Sequence, residues 1–488
     1  MKNLFISTIF FACITINAQL NIEWQHSYGG SWSDYAYCVQ HTSDGGFIVG
    51  GLSYSDDGDI HGNTEGHGAV LIRFDSNNDT VWLRFYDGWP AIYGVCQSSD
   101  NGYITIGKEY SIMKVNENGD TLWTKDFGEE SFLDKGYSII RTNDNCYITA
   151  GSLWRNGEGL GLENWYLVKM NSDGDTLWTK LYNYVAGQAH SIDITVDGGF
   201  IVAGSKDLNA LEEGSWTPDN NFYIMKLNSN GDTIWTKSYG GEHGDEANSI
   251  KQTSDGGYIV AGFRNFPDSY DYWILKLNET GEIEWQKTLN SYMDDMFYSV
   301  VESPDGGFIF AGYNYPDESL SGIHCNDHWQ KEYWVVKYNS DGTSVEWCDC
   351  FGGEKDDVAM AIDQINNGDY IVAGYTNSDD GDVSVNHGDS DIWLIKLKDG
   401  STYINNPQSA EFVKSIYYSP VFKELTLQLH QQYPEIKVTI VNSVGQLIST
   451  SDYYNTDYIN KDISEFSDGL FIVNIKCGNK IYRKKILK

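Results

Sequence analysis

A ten-residue segment, TSDGGYIVAG, recurs with small variations seven times along this chain of 488 residues. Successive copies end on glycines that are 56, 44, 53, 58, 50 and 62 residues apart. Self-similar units of this length, built from short apolar runs and turn residues, are typical of a β-propeller or a related array. The copies lie at Thr42–Gly51, Ser98–Gly107, Thr142–Gly151, Thr195–Gly204, Thr253–Gly262, Ser303–Gly312 and Ile365–Gly374.

Each repeated unit contains the signals of four strands. In the fourth unit, the repeated segment is followed by an apolar run ending in Lys-x-Asn (Tyr223–Asn228), a turn (Asn228–Asp232) and a run around Trp235. A segment such as Asp245–Thr253 then opens the next unit. Runs rich in Val, Ile, Tyr and Trp, separated by Gly, Asn and Asp, predict β-strands. Seven units of four strands predict an all-β fold, a seven-bladed β-propeller.

The two ends of the array are complementary. The seventh unit ends at Trp393–Gly400 and lacks its tryptophan strand, whereas an additional tryptophan strand, with Trp24, precedes the first unit. A ring of sheets leaves no open edge at which unpaired backbone groups could promote aggregation. We therefore predict that Ile22–Tyr28 supplies the outermost strand of the seventh blade and closes the ring.

The chain is strongly acidic, with 33 Lys or Arg against 69 Asp or Glu and a net charge of −36. The segment from Glu411 onward holds ten basic and eight acidic residues, so the excess negative charge lies on the repeats. Such a surface repels phosphate backbones, and the charge therefore excludes nucleic acid as a partner. It remains compatible with cation binding, solubility and saline surroundings.

Residues 1–18 are predicted to be a signal peptide. Lys2 precedes an apolar stretch, Leu4–Ile16, which is followed by Ala18 at the expected cleavage site. The stretch is shorter than the about 20 residues that span a bilayer. An alternative is lipoprotein processing, with acylation of Cys13. No other stretch of the sequence predicts a transmembrane segment.

The repeats give way to a different domain near the C-terminus. We predict a propeller at residues 19–400, a polar linker at 401–409 and a small β-sandwich at 410–488. Alternating apolar residues, as in Ile436–Thr450, and hairpin signals indicate strands in this last part.

Four motifs in this last domain occur in a recognisable order. They are YYSP (Tyr417–Pro420), a Gly445-Gln446 hairpin, SDGLFIV (Ser467–Val473, with Gly469) and a basic end that includes Lys484 and Lys485. In this it resembles the type A C-terminal sorting domain of proteins that the type IX secretion system of Bacteroidetes-type bacteria exports. The usual Tyr-Pro-Asn-Pro is replaced here by YYSP. An ordinary β-sandwich with a basic tail is the alternative.

The resemblance implies a route and a location for the protein. It implies export to the periplasm by the Sec route, passage through the outer membrane by the type IX machinery, and cleavage of the sorting domain. The protein would then be secreted or attached to the outer cell surface. The propeller units also resemble those of large secreted proteins of the same bacteria.

Three long loops are predicted to lie together on one face of the ring. They join the second and third strands of blades 1, 6 and 7, which are neighbours in a closed ring, and variable loops on a rigid scaffold are where binding usually resides. We predict a binding site there. Its candidate residues are Asp57, Asp59, His61, His67, His324, His328, Asp380, Asp382 and His387.

The chemistry of these loops leaves three alternatives open. Asp57, Asp59, Asp380 and Asp382 offer oxygen ligands that suit Ca²⁺, although no EF-hand pattern is present. The added histidines would suit a transition metal. The third alternative is that Asp-Gly-Asp builds turns and the loops pack through their own hydrogen bonds. No cofactor is required by any of these readings.

The cysteines predict at most one disulfide. Cys348 and Cys350 lie on one strand, and one of them could pair with Cys325 from a loop. Cys38 and Cys96 occupy similar places in the innermost strands of neighbouring blades and are expected to be buried thiols.

The sequence contains no catalytic motif, whether a nucleophile elbow, a zinc helix or a phosphate-binding loop. The turn that precedes each tryptophan is similar to the docking repeat of quinoprotein dehydrogenases, but the residues that hold a quinone are missing. We predict a non-catalytic module that binds glycan or protein at the cell surface. The alternatives are a secreted polysaccharide hydrolase or lyase and a purely structural surface protein.

Overall fold

The computed structural model describes most of the chain, and all of the regular secondary structure it describes is β-strand. The chain divides into two compact units, Met1–Ser401 and Thr402–Lys488. The predicted linker, 401–409, lies outside the described residues. The residues that the structure describes are 21–128, 133–157, 160–207, 220–241, 244–266, 269–288, 293–315, 330–365, 368–398, 413–419, 424–442, 447–463, 466, 470–477 and 480–487.

The first unit contains 28 strands in seven antiparallel four-stranded sheets. The first fourteen are β1 (Asn21–Tyr28), β2 (Asp34–His41), β3 (Phe47–Ser53), β4 (Gly68–Phe74), β5 (Thr80–Asp87), β6 (Ile92–Gln97), β7 (Tyr103–Gly107), β8 (Ser111–Val115), β9 (Thr121–Asp126), β10 (Lys135–Arg141), β11 (Tyr147–Gly157), β12 (Leu160–Met170), β13 (Thr176–Ala186) and β14 (Ala189–Ile194). The other fourteen are β15 (Phe200–Asp207), β16 (Asn220–Leu227), β17 (Thr233–Tyr239), β18 (Glu246–Gln252), β19 (Tyr258–Asn265), β20 (Tyr270–Leu277), β21 (Ile283–Thr288), β22 (Met296–Glu302), β23 (Phe308–Asn314), β24 (Glu332–Tyr338), β25 (Val345–Phe351), β26 (Asp357–Gln364), β27 (Tyr370–Thr376) and β28 (Asp391–Lys398).

Each sheet is one blade, and the blades close into a ring. Strands β2, β6, β10, β14, β18, β22 and β26 are the innermost strands, and each contacts the innermost strand of the next blade. The ring is completed by contact between β26 and β2. The predicted seven-bladed propeller is therefore confirmed. We call the face at which the innermost strands begin the loop face, because the long loops between second and third strands also lie there.

The N-terminal strand closes the seventh blade, as predicted. Strand β1 pairs antiparallel with β28, from Asn21 opposite Lys398 to Tyr28 opposite Ile392. The Trp393 indole donates a hydrogen bond to Gln25 Oε1 at 3.1 Å, and Lys396 Nζ lies 3.0 Å from Glu23 Oε2. The two chain ends of the propeller are thus fixed to each other by backbone and side-chain contacts.

Tryptophans of the outermost strands join neighbouring blades. The Trp82 indole donates a hydrogen bond of 2.9 Å to the carbonyl of Glu117, in the turn of the next blade. In the turn at Gly231, a Cβ atom would lie 2.9 Å from the Trp178 ring, and φ is 76°. Only glycine suits both this conformation and this close approach. The repeated turn and the repeated tryptophan therefore form one interblade contact.

A largely buried cation pairs with an aspartate in every blade. The cation is the basic residue near the end of the third strand, and the aspartate belongs to the turn between the first and second strands. Burial raises the pKa of Asp197, but hydrogen bonds from Lys226 and Thr195 outweigh it and hold the pKa at about 2. The pairs are Arg73–Asp44, Lys114–Asp100, Lys169–Asp144, Lys226–Asp197, Lys276–Asp255, Lys337–Asp305 and Lys396–Asp369.

The second unit is a two-sheet β-sandwich, as predicted. Its sheets have the strand orders β29-β30-β33 and β32-β31-β34-β35. Leu427 of one sheet and Ile440 of the other belong to the same buried apolar cluster. The strands are β29 (Val413–Ser419), β30 (Glu424–Tyr433), β31 (Ile436–Asn442), β32 (Leu447–Tyr453), β33 (Thr456–Asp462), β34 (Leu470–Cys477) and β35 (Lys480–Leu487).

Removing the closing strand should open the ring. We expect a chain that begins at Gly29 to melt more than about 5 °C below a chain that begins at Asn21, since β28 then becomes an unpaired edge. Thermal unfolding by circular dichroism and size-exclusion chromatography measure the two effects. Equal melting temperatures and identical elution would contradict the proposed role of β1.

Removing one partner of a buried ion pair should cost more than removing both. We expect Asp197→Ala to lower the free energy of unfolding by about 2 kcal/mol, because the Lys226 ammonium stays buried without its counter-ion. Asp197→Ala combined with Lys226→Met should recover most of this loss. Urea denaturation of the two variants tests it, and a double variant less stable than the single one would refute the pairing argument.

Candidate functional site

The innermost strand of every blade carries a β-bulge at the same place. In β2, Ala36 pairs with Gly51 and Cys38 with Gly50, so Tyr37 between them has no partner across the strand. The other six innermost strands show the same register shift. A bulge re-aims the side chain of the extra residue. The seven bulged residues, which we call the girdle, are Tyr37, Tyr93, Tyr137, His190, Asn248, Tyr298 and Met360.

The girdle lines an axial cavity of about 870 Å³. The residue after each bulge is small and also lines the cavity. A volume of this size lies in the range of small-molecule and cofactor sites. The small residues are Cys38, Gly94, Ser138, Ser191, Ser249, Ser299 and Ala361.

Tyrosine rings follow one another around one side of the cavity. The ring centroids of Tyr37 and Tyr93 are 5.2 Å apart, and those of Tyr93 and Tyr137 are 5.8 Å apart. Further tyrosines extend this surface toward the loop face, where Tyr35 contacts Tyr375 at 4.9 Å. The tyrosine funnel, as we call this surface, combines tyrosines that line the cavity with tyrosines that contact these or one another nearer the loop face. The first group is Tyr37, Tyr93, Tyr137 and Tyr298, and the second is Tyr35, Tyr313, Tyr315 and Tyr375.

Burial keeps three hydroxyls of the funnel protonated, those of Tyr37, Tyr137 and Tyr298. Burial, with a smaller contribution from Glu246, raises the pKa of Tyr298 to about 12. Burial also raises the pKa of Tyr37 and of Tyr137 well above the usual range. The funnel therefore offers aromatic faces together with neutral hydroxyl groups at any physiological pH.

Blades 4 and 5 place polar side chains at the girdle, and Phe263 and Tyr270 of blade 5 line the cavity beside them. The Gln188 carbonyl oxygen accepts hydrogen bonds from the Tyr137 hydroxyl and, at 3.1 Å, from His190 Nε2. The Gln188 amide donates to Glu163. Burial raises the pKa of Glu163 and lowers the pKa of His190. Glu246 also lines the cavity on this side.

Part of the predicted loop site gathers where blade 7 meets blade 1. Asp57 accepts hydrogen bonds from the backbone and hydroxyl of Ser31, and Asp59 accepts one of 3.4 Å from the Gly29 amide. Hydrogen bonds from the Ser31 hydroxyl and amide lower the pKa of Asp57, and His61 and His387 make smaller electrostatic contributions in the same direction. The loop of blade 1 thus folds onto the segment that enters its own blade.

Asp380 and Asp382 repeat this arrangement one blade away. Asp380 accepts a hydrogen bond of 2.8 Å from the Glu354 amide, and Asp382 accepts one of 3.3 Å from the Gly352 amide. The four carboxylates therefore belong to two equivalent loops and each bonds to backbone amides. His67 lies apart, with its ring 6.3 Å from that of Tyr54. His324 and His328 lie outside the described residues.

No three His, Cys, Asp or Glu side chains in the described part of the chain are arranged to hold a metal ion. The carboxylates considered for Ca²⁺, at Asp57, Asp59, Asp380 and Asp382, instead serve as acceptors for the loops described above. Calcium binding by these residues stays a prediction.

Cys350 forms a disulfide whose partner lies outside the described residues. Cys348 keeps a free thiol, and the Trp334 indole lies 3.0 Å from its sulfur. Cys38 and Cys96 are free thiols too, and burial raises the pKa of each to about 12. Thiols of such high pKa are poor nucleophiles.

Buried aspartates beside the innermost strands support the loop face, and sequence reasoning missed them. Asp34 accepts hydrogen bonds of 2.9 Å from the Gly30 amide and the Ser55 hydroxyl. Each such aspartate precedes the first residue of its repeated segment by eight positions, which is the signal that could have revealed them. The five, all nearly inaccessible to solvent, are Asp34, Asp134, Asp245, Asp295 and Asp357.

A close packing of carboxylates surrounds Gly29. A Cβ atom at this position would lie 2.5 Å from Asp391 Oδ1 and 2.6 Å from Asp34 Oδ2. His387 lies against Asp391, with its backbone amide 2.9 Å from Asp391 Oδ2. The predicted His387 is thus a partner of a buried carboxylate at the junction of blades 7 and 1.

Residues 415–488 match the family model described as the secretion system C-terminal sorting domain. Tyr417 lies in β29, and Lys484 and Lys485 lie in β35, whereas Pro420, Gly445 and Gly469 fall outside the described residues. The match confirms the predicted resemblance to a type IX sorting domain.

Several solved structures are similar to the chain at the level of the fold, and no curated protein matches it. The WD40 β-propeller domain of Doa1 is 15% identical, with a TM-score of 0.47, over 78% of this chain and 98% of that one. PorZ, a surface component of the type IX secretion system of Porphyromonas gingivalis, is 11% identical, with a TM-score of 0.44, over 94% and 60%. BamB of Moraxella catarrhalis is 12% identical, with a TM-score of 0.40, over 78% and 100%. The assignment of the fold rests on the seven sheets and their closure.

Burial of Asp34 should make the stability of the propeller depend on pH. Burial raises the pKa of Asp34 from 3.8 to about 6, so the folded state holds this proton more tightly than the unfolded state. The stabilisation that this bound proton gives to the folded state is complete below about pH 4 and is lost as the pH rises to about 6. Between pH 4 and pH 7, we expect the free energy of unfolding of Asp34→Asn to rise relative to that of wild type by up to about 3 kcal/mol. Urea denaturation at the two pH values measures the gain, and parallel profiles would contradict it.

Deleting the sorting domain should block secretion. We expect a chain without residues 411–488 to accumulate in the periplasm, because the type IX machinery then has no signal to recognise. Cell fractionation with immunoblotting measures this, and the full chain serves as the control. Normal secretion of the truncated chain would overturn the sorting assignment.

The location of the protein follows from these findings. No helix long and apolar enough to cross a membrane occurs among the residues that the structure describes, and the predicted signal peptide, 1–18, lies outside them. The sorting domain directs the chain to the type IX secretion machinery, its partner in export. The protein is a seven-bladed β-propeller that ends in a type IX secretion sorting domain, and it is secreted or attached to the cell surface.

Proposed function

We propose that the propeller is a non-catalytic binding module that holds a glycan in the tyrosine funnel outside the cell. One observation carries the proposal: the bulge turns the side chains of Tyr37, Tyr93, Tyr137 and Tyr298 into one cavity. Aromatic rings pack on the apolar faces of sugars, and tyrosine adds a hydroxyl for hydrogen bonding.

The funnel supports the proposal better than the loop residues predicted from sequence. The carboxylates of Asp57 and Asp380 accept hydrogen bonds from backbone amides of the segments that enter their own blades. The four girdle tyrosines of the funnel lie on innermost strands, so these side chains are held by a closed ring and lose little freedom when a ligand binds. Binding to such a site agrees with the extracellular location given by the sorting domain.

A hydrolase or lyase is the second candidate, and one observation favours it. Glu163 and Glu246 interact electrostatically beside the cavity, and burial raises the pKa of Glu163. A carboxyl group with a raised pKa beside a second carboxylate is an arrangement found in glycosidases. Release of reducing ends from the bound glycan separates this candidate from simple binding.

Shortening one tyrosine of the funnel should weaken glycan binding. We expect Tyr93→Ala to raise the Kd for the best-bound glycan about tenfold, since one stacking surface is lost. Binding to immobilised plant and algal polysaccharides, followed by calorimetry with the best soluble oligosaccharide, measures the effect. Titrations with Ca²⁺ and with a chelator test the calcium prediction at the same time.

Tyr458→Ala is the matched control, because Tyr458 is an exposed tyrosine of the C-terminal unit. It should leave the Kd unchanged. A wild-type protein that binds no glycan, or a Tyr93→Ala variant that binds as well as wild type, would overturn the proposal. The first outcome would favour a structural surface protein.

A further inference from the structure

The girdle has two chemically different sides. Blades 1, 2, 3 and 6 contribute tyrosines, whereas blades 4 and 5 contribute His190 and Asn248 at the same positions. Glu246 and Lys135 line the cavity beside them. We call this side of the cavity, with His190, Asn248, Glu246 and Lys135, the polar wall. A ligand that touches the tyrosines therefore meets the polar wall on the opposite side.

Hydrogen bonds fix which groups the polar wall offers. The Gln188 carbonyl oxygen accepts from the Tyr137 hydroxyl, so His190 Nε2, 3.1 Å from the same oxygen, must carry a proton. Burial lowers the pKa of His190, whereas Glu246 and hydrogen bonding with Asn248 act in the opposite direction. Asn220 donates to one oxygen of Glu246 at 3.1 Å.

Carboxyl groups outnumber cations at the end of this wall nearest the loop face. Glu246 lines the cavity, and Glu163 lies behind Gln188 as the second carboxyl group. The cation beside them is Lys135, which lowers the pKa of Glu163 against the larger effect of burial and holds its ammonium 5.9 Å from the Tyr137 ring centroid. Lys251 and Asp363 also line the cavity, near the ends of β18 and β26 that lie opposite the loop face. The whole chain adds a net charge of −36.

We propose that Glu246 and the polar wall select uncharged, hydroxyl-rich saccharides and reject those that carry carboxylates. The inference rests on the proposed function, because it assigns the charge class of the glycan held in the tyrosine funnel. Sugar hydroxyls donate to the Glu246 carboxylate, whereas a uronate would bring a like charge to it within a partly desolvated cavity. Like charges brought together in this way strongly oppose binding.

Matched oligosaccharides test the selection. Mannohexaose against hexamannuronate and cellohexaose against hexaglucuronate differ only in a hydroxymethyl or carboxylate group on each sugar. By calorimetry, wild type should bind the neutral member of at least one pair at least about tenfold more tightly than the charged member. The preference should shrink at high salt, because screening weakens the repulsion.

Glu246→Gln keeps the shape of the side chain and removes its charge. We expect it to reduce the preference for the neutral member about tenfold, chiefly by improving the binding of the uronate. Glu117→Gln removes the same charge from an exposed turn on the opposite face and should leave the preference unchanged. The salt series on wild type tests the inference even if Glu246→Gln does not fold.

The outcomes separate this inference from the proposed function. Equal binding of neutral and charged members by wild type, or equal effects of Glu246→Gln and Glu117→Gln, would overturn the selection and leave glycan binding in place. A preference that does not change with salt would also overturn it. Failure of wild type to bind any of these or the immobilised glycans would overturn both.

Discussion

The pairing of β1 with β28 is the interaction on which the propeller depends. It joins the two ends of the propeller chain, gives the seventh blade its outermost strand and leaves no open edge in the ring. The girdle is a consequence, because seven innermost strands face one axis only when the ring is complete. Trp393 and Lys396 reinforce the pairing through Gln25 and Glu23, so closure is specified by side chains as well as by the backbone.

Residues that stabilise the blades and residues that line the cavity occupy different positions of the repeat. The buried ion pairs, such as Lys226–Asp197, occur in all seven blades and hold the turns opposite the loop face. The girdle occupies an equally regular position, yet its residues differ between blades. A bulge directs each of these side chains into the cavity whatever its chemistry, so substitution there changes the ligand-binding surface without changing the fold.

The loops of blades 1 and 7 show that acidic residues with the spacing of a cation site also hold backbone segments in place. Asp57 and Asp380 each cap amides of the segment that enters a blade, and Asp34 fixes the same segment from below. Closely spaced carboxylates suggest cation binding when read along the chain. In three dimensions, backbone amides and the Ser31 hydroxyl donate hydrogen bonds to these carboxylates.

The sequence by itself determined the number of blades, the closure by Ile22–Tyr28 and the sorting domain, because each is encoded in local patterns that repeat or follow a fixed order. The seven girdle residues also occupy one fixed position of the repeat, five residues before each repeated segment, from Tyr37 to Met360. Only the tertiary structure decided that this column faces the axis. The sequence of a bulged strand looks like that of a regular strand, because a bulge is defined by how the strand pairs with its neighbour. The ion pairs and Asp34 escaped the sequence for the same reason, because their partners are close in space and distant along the chain.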